Sequence, residues 1–356
     1  MSNPVRLAVV GYGLVGRRHA QAISELPDAV LAAIVEPNSD AQDDIIASGA
    51  SWFPNLEALF SEGDVSGVIL ATPTPLHTQQ ALLCIENGCP VLIEKPIAVT
   101  SSEAANIVSA ASLADVPVLV GHHRRHNNIV RAAKDAIESG AIGEIRTATA
   151  NCWLYKPDQY FDESPWRKLK GAGPVSVNLV HDIDLLRHFC GEVETIQAQA
   201  SPSMRGYENE DVAAAILQFR SGALATVTVS DSVAAPWSWE MTAAENPAYP
   251  KTGESCYLLG GSKGSISIPD LRVWSHEGQP DWWSPIKSEK LPADYADPIV
   301  VQAQHFANVV QKLEQPLVSG LEGLRTLQVI EAIQKAVELN QTIEVNPFDL
   351  SVGTAA

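Results

Sequence analysis

The stretch Val5-Arg6-Leu7-Ala8-Val9-Val10-Gly11-Tyr12-Gly13-Leu14-Val15-Gly16 is an apolar run that breaks into G-x-G-x-x-G and then into helical spacing over residues 14–26. Three glycines alone are a weak signal. Set directly between a strand and a helix, they have a joint physical job. Gly11 permits the tight turn, Gly13 lets a pyrophosphate approach the backbone, and Gly16 lets helix and strand pack closely. The helix start beyond them offers unpaired N–H groups and a partial positive charge to an anion. Tyr12, Leu14 and Val15 complete the fingerprint. The bland alternative is an ordinary strand-to-helix turn without a ligand. Glu36 stands 20 residues beyond Gly16, at the end of the apolar run 30–35. A carboxylate there accepts hydrogen bonds from ribose hydroxyls and repels a 2′-phosphate. No Arg follows in Glu36-Pro37-Asn38-Ser39, so NAD is expected rather than NADP.

Outward from this turn the first 121 residues keep alternating. Val/Ile/Leu runs at 6–10, 30–35, 67–71, 91–94 and 118–120 are separated by helical patterns around 14–26, 39–48, 55–61, 76–87 and 102–113. The runs lack polar alternation, as strands do when helices cover both faces of a parallel sheet. This predicts βαβ units and a doubly wound sheet over residues 1–121. Beyond residue 121 the texture changes. A helix over 127–139 ends at Gly140. Alternating β-branched stretches follow at 146–153, 195–200, 213–219, 223–229 and 265–268, interrupted by a helix over 175–189. That pattern predicts an α+β domain over 122–356 with a mostly antiparallel sheet. The stretches 231–256 and 274–298 read as long loops of the kind that serve binding. Helices at 299–313 and 321–339 and a short strand at 342–345 close the chain.

The chain has 356 residues, 24 Lys+Arg against 42 Asp+Glu, and a formal charge of −18. Its length suits about two domains. Hydrophobic residues at 46% and charged residues at 19% argue against disorder. The acidic balance argues against nucleic acid or an anionic membrane as principal partner, since both need a basic surface. It leaves room for an anionic small substrate held by a few local cations. No apolar run approaches the ~18–20 residues of a membrane span, and the N-terminus lacks a signal-peptide pattern. The cysteines 84, 89, 152, 190 and 256 are scattered and odd in number, without CxxC. They fit free thiols in a reducing cytoplasm.

Two further motifs point to chemistry. The run 91–94 ends in Glu94-Lys95-Pro96. Carboxyl ends of strands in a doubly wound sheet face the ligand crevice, so Lys95 is well placed and partly desolvated. The second motif is Gly171-Ala172-Gly173-Pro174-Val175-Ser176-Val177-Asn178-Leu179-Val180-His181-Asp182-Ile183-Asp184. On a helix, Asn178, His181 and Asp182 share one face. The bland alternatives are a surface Lys in a turn and a satisfied core His.

Together with the opening fingerprint these motifs resemble the glucose–fructose oxidoreductase/inositol dehydrogenase (Gfo/Idh/MocA) family. The resemblance spans essentially the whole chain. It includes Ala71-Thr72-Pro73 with His77, Glu94-Lys95-Pro96, His123-Arg124-Arg125, Trp166-Arg167, the His181-Asp182-Ile183-Asp184 helix and the closing region 320–341. It implies a Rossmann domain plus an α/β domain with a large open sheet. It also implies oxidation or reduction at a hydroxyl-bearing carbon, usually of a sugar or cyclitol. By the same resemblance, Ala71, Thr72, Pro73, His77, Glu94, Lys95, Trp166 and Arg167 are expected at the cofactor. Lys95 and His181 match the family's catalytic Lys and His. The family often has an Asp four residues before that His; here the position is Val177, and the nearest polar residue is Asn178. Asn cannot take a proton as Asp can, so Asn178 is expected to orient substrate or His181. His181 then accepts the hydroxyl proton, and Lys95 stabilises negative charge developing on oxygen.

The densest basic cluster of this acidic chain is His122-His123-Arg124-Arg125-His126. No Cys or paired carboxylate stands nearby at ligand spacing, so no metal is expected. The segment is expected at the domain junction beside the nicotinamide. There His123 lies near substrate, and Arg124 or Arg125 can hold a carboxylate by a bidentate contact. Salt bridges to the acidic surface are the equal alternative. Trp153 and Tyr155, next to Lys156-Pro157, can stack on a sugar ring, as can Trp166 and the Trp237–Trp239 loop. For Trp274, Trp282 and Trp283 ordinary packing is favoured.

The expected function is a cytoplasmic NAD-dependent dehydrogenase of a sugar, sugar acid or cyclitol. The rivals are a dihydrodiol dehydrogenase for a cyclic carboxylated diol and a non-catalytic NAD-binding regulator. A broad open sheet needs covering, so a homodimer or homotetramer is expected.

Overall fold

The computed structural model describes residues 3–346 and 348. They form two compact units. Residues up to His126 together with Ala296–Leu327 make the first, and Asn127–Tyr295 with Gln328–Asn346 the second.

The first unit holds β1 (Val5–Val10), β2 (Ala29–Val35), β3 (Ser51–Phe53), β4 (Gly67–Leu70), β5 (Val91–Ile93) and β6 (Val118–Val120). Their order is β3-β2-β1-β4-β5-β6, and every pairing is parallel. This is the doubly wound sheet expected from the Val/Ile/Leu runs, with its order reversing between β1 and β4. Strand β3 was not expected; Ser51-Trp52-Phe53 is too short to show a period. Alternation along β1 explains its apolar sequence. Leu7 and Val9 pack on one side with Ala22 and Ile23 of the helix Leu14–Ser24. Ala8 and Val10 pack on the other with Ala81 and Ile107, from the helices His77–Glu86 and Ser101–Ala114.

The unit borders differ from the expected break at residue 121. The helix Pro298–Val310 buries Ala303, Phe306 and Ala307 against Leu7, Val9 and Ile69 of the first sheet. A Cβ added at Gly67 would reach 2.8 Å from Val310 Cγ2. The helix Gly320–Leu339 contributes Leu324 and Leu327 to the first core and Val329, Ile330 and Ile333 to the second. An apolar stripe announces that a helix has a buried face, but not which sheet receives it.

The second unit contains β7 (Ile145–Trp153), β8 (Val193–Pro202), β9 (Glu210–Phe219), β10 (Leu224–Ser230), β11 (Tyr257–Gly261), β12 (Gly264–Ile268), β13 (Arg272–Ser275), β14 (Lys287–Lys290) and β15 (Ile343–Glu344). They form one sheet in the order β14-β13-β12-β11-β7-β10-β9-β8-β15. Its pairings are antiparallel except β7 with β10. On its inner face Ala148, Ala150 and Cys152 pack with Ile183, Leu186 and Ile333. The outer face carries Thr147, Thr149, Asn151 and Thr226, with Ile216 and Leu258 48% and 56% exposed.

Strands β11, β13 and β14 lie in or beside stretches expected to be loops: β11 ends in Gly260-Gly261, and β13 and β14 are four residues each, β14 wholly polar, too short to show a period. Between β13 and β14, Trp282 and Trp283 are 95% and 91% exposed. This corrects the expectation that they pack. Asp281 Oδ1 accepts from both Trp283 N and Ser284 N at 2.6 Å, so its own turn holds the pair outward. No helix among the described residues is long and apolar enough to cross a membrane.

Candidate active site

Because β1 to β6 run parallel, their carboxyl ends share one sheet edge. The segments singled out in the sequence leave from that edge: 11–16 after β1, Glu36 after β2, 71–73 after β4, 94–96 after β5 and 122–126 after β6. The glycine turn has the geometry its chemistry needs. Gly11 has φ +88°, and a Cβ there would lie 2.9 Å from Ala71 O. A Cβ at Gly16 would overlap the carbonyl oxygen of Gly11, whereas one at Gly13 would meet nothing within 4 Å. The open side of Gly13 is where a phosphate can reach the backbone. Gly13 also starts the helix Leu14–Ser24 without a side-chain cap, leaving its first N–H groups available to an anion. Leu14 and Val15 are exposed, and Arg17 stacks on the Tyr12 ring at 3.9 Å.

Glu36 closes the turn from the side. Its Oε2 accepts from Tyr12 N at 2.9 Å and its Oε1 from Asn38 N at 3.0 Å. Each carboxylate oxygen keeps a second lone pair for a ribose hydroxyl. These residues therefore fit an adenine dinucleotide without a 2′-phosphate.

Several of the other strand-end residues brace the loops around them. His77 is buried and spans two loops, Nδ1 at 3.0 Å from Pro96 O and Nε2 at 2.9 Å from Thr72 O. It braces the 71–73 turn, with Thr72 Oγ1 donating to Gln80 Oε1 at 2.6 Å. Glu94 is also a brace. Its Oε1 lies 2.7 Å from Nε2 of the buried His19, and its Oε2 accepts from Lys95 N at 3.1 Å. Burial alone would raise its pKa. The bond to His19 and the charges of His19, His123 and Lys95 outweigh that and hold it at about 2. Lys95 is half-buried. In 122–126, His122, Arg124, Arg125 and His126 are buried, and His123 is half-buried. Arg125 Nη2 pairs with Glu322 Oε2 at 3.0 Å, the ion-pair alternative for this residue. Among the described residues no group of His, Cys, Asp or Glu is set to hold a metal ion.

The second unit carries the other motif. The expected helix 175–189 is two, Pro174–Val177 and Leu179–Cys190, meeting at Asn178. Asn178 keeps right-handed backbone angles, so its helical spacing to His181 survives the break, and its carbonyl accepts from His181 N at 3.1 Å. His181 is 8% exposed; Asp182 is buried and accepts from Tyr257 Oη.

Beside Asn178 is a charged cluster that the sequence did not mark. Strands β7 and β10 are parallel, so Lys156 beyond one and Asp231 beyond the other share an edge. Lys156 is 7% exposed, with Nζ 2.7 Å from Asn178 Oδ1 and 3.9 Å from Asp231 Oδ2. Arg205 Nη1 completes it at 3.0 Å from Asp231 Oδ1. Burial lowers the Lys156 pKa and raises that of Asp231; their mutual attraction opposes both shifts.

The expected aromatic and basic residues scatter. Trp153 projects from the outer sheet face, its Nε1 donating to Thr228 Oγ1 at 2.8 Å and its ring edge-on to Trp237. The helix bearing His181 packs on the inner face, so the period-2 pleat turns Trp153 away from it. Tyr155 and Trp166 are exposed at 52% and 54%. Arg167 Nη1 donates to Tyr160 O at 2.6 Å. Trp239 is core, stacked edge-on to Tyr257 and donating to Glu245.

Comparison with known proteins adds identity to this geometry. Residues 5–122 match the model of an oxidoreductase family with an NAD-binding Rossmann fold, and residues 130–267 match the GFO/IDH/MocA C-terminal domain. The 1,5-anhydro-D-fructose reductase of Ensifer adhaerens is 27% identical, over 82% of this chain and 83% of its own. The myo-inositol 2-dehydrogenase of Thermotoga maritima is 24% identical over 96% and 98%. The crystal structure of the WlbA dehydrogenase from Bordetella pertussis, in complex with NADH and UDP-GlcNAcA, has a TM-score of 0.77 at 26% identity. It covers 98% of this chain and 100% of that one.

Proposed function

Because this chain belongs to the Gfo/Idh/MocA oxidoreductases, an NAD-binding Rossmann family, we propose that it is an NAD-dependent dehydrogenase acting on a hydroxyl-bearing carbon of a sugar, sugar acid or cyclitol. The observation that supports this most is the gathering of the open Gly13 turn, Glu36 and Lys95 on one edge of a parallel sheet. The likeness to a myo-inositol 2-dehydrogenase and a 1,5-anhydro-D-fructose reductase supports the substrate class.

The 11–16 turn and the following helix start hold the pyrophosphate, and Glu36 holds the adenosine ribose. Bound NAD supplies the hydride acceptor. His181 takes the hydroxyl proton, since imidazole titrates near working pH. Lys95 donates a hydrogen bond to the same oxygen and stabilises its developing negative charge. The protein acts in the cytoplasm as a homodimer or homotetramer joined through the outer sheet face, where Ile216 and Leu258 are exposed. Light scattering from a monomer would refute that assembly.

The functional test is NAD reduction across polyols, aldoses, sugar acids and cyclic diols. At least one class is expected to react. Lys95→Ala and His181→Ala are each expected to lose about 10²–10⁴ in kcat, with NADH still binding by fluorescence. Near-wild-type turnover in both variants defeats these roles. A flat signal across the whole panel defeats the dehydrogenase reading.

A further inference from the structure

We propose that Lys156 is a positioning residue. Its ammonium turns the Asn178 carbonyl oxygen towards itself and the amide NH₂ away, so that Asn178 meets the substrate as a hydrogen-bond donor. The inference rests on the dehydrogenase reading above, because it gives a role to a residue beside His181.

The Lys156 backbone is pinned on both sides. Its N donates to Asp231 O at 2.8 Å, and its O accepts from Arg205 Nη2 at 2.8 Å. The side chain then runs through a buried space to end 2.7 Å from Asn178 Oδ1. A lysine ammonium has only donors, while an asparagine amide has one oxygen and one NH₂ group. The contact therefore fixes which end of the amide faces Lys156. Asp231 Oδ2, at 3.9 Å, balances the charge without taking over the short contact. Arg205 in turn holds Asp231. Asn178 stands at the junction of two helices, three residues before His181, so orienting its amide sets a polar group on the same helical face.

A carboxylate at this junction would have offered acceptor oxygens to a substrate hydroxyl and paired with Lys156 as an ion pair. The amide anchored by its oxygen offers two N–H donors instead. The substrate atom read here is thus an oxygen with a free lone pair: a hydroxyl, a carbonyl or a carboxylate oxygen. An ammonium, which has no lone pair, is refused at that position.

The test is a double-mutant cycle on the full-length enzyme with whichever panel compound it oxidises. Lys156→Ala is expected to raise KM about 10- to 100-fold, because the released Asn178 amide no longer presents its donors to the substrate, with kcat changed less than about threefold. Propylammonium should restore most of the loss, and neutral propanol should not. In an Asn178→Ala background, Lys156→Ala should raise KM less than about twofold further, because its partner is already gone. Should Lys156→Ala not fold, as judged by its thermal melt, the neutral Lys156→Met variant serves in the same cycle. Additive KM effects, or equal rescue by propanol, overturn the proposal. If the wild type oxidises nothing, the dehydrogenase reading fails, and the anchoring is decided without turnover. The ¹⁵N-labelled Asn178 side-chain amide resonance must move in Lys156→Ala and return with propylammonium; a resonance that does not move overturns it.

Discussion

The Glu36 carboxylate accepts from Tyr12 N and Asn38 N, which holds the glycine turn against the end of β2, and it keeps the lone pairs that the proposed function assigns to a ribose. Glu36→Ala is expected to raise the KM for NAD about tenfold to a hundredfold. The NAD-over-NADP preference, measured as a ratio of kcat/KM values, should fall with it. An unchanged ratio sinks the assignment. This residue was legible in the sequence because its signal is local: a strand end at a set distance from a glycine turn. Lys156 was not legible as a buried group. Its neighbours Tyr155 and Pro157 are exposed, and the groups around its ammonium, Asn178, Asp231 and the Tyr160 ring, come from other parts of the fold. The face that Trp153 takes was equally hidden. The pleat of β7 turns it to the outer face, where its Nε1 donates to Thr228 Oγ1.

At the scale of elements, the His19–Glu94 pair joins the fingerprint helix to the end of β5 and braces the backbone of Lys95. The ordinary Glu value is 4.5 and the folded value is about 2. The pair's contribution to stability is thus fully present above about pH 5 and is lost as pH falls through about 2. Glu94→Gln is expected to cost about 2–3 kcal/mol at neutral pH. The gap to wild type, read from urea midpoints, should narrow steadily between about pH 5 and pH 2. A gap independent of pH would show that Glu94 acts by packing alone. The helix motif of the second unit shows the limit of periodicity. Residues 174–190 carry one apolar pattern, yet the chain breaks at Asn178, where the side chain is engaged by Lys156 from another element.

At the scale of the molecule, the first unit is built from two distant stretches of chain. Phe306, Ala307 and Leu324 complete cores begun by Leu7, Val9 and Val10. Residues 1–121 expressed alone, the domain that the strand–helix alternation outlines, are therefore expected to lack a cooperative thermal transition and to bind no NADH. Phe306→Ala in the full chain should cost about 3–5 kcal/mol of stability. A fragment 1–121 that melts cooperatively and binds NADH would overturn the division.

The parallel sheet, the glycine turn with Glu36 beside it, and the candidate segments around Lys95 and His181 could all be read from the chain before folding. All of these are written in short-range spacing, where backbone period and glycine freedom leave little choice. Which sheet receives the C-terminal helices, which face Trp153 takes, and which group meets Asn178 emerge only on folding. Those outcomes depend on contacts between residues far apart in the chain, and an apolar stripe or a lone Lys carries no information about its eventual partner.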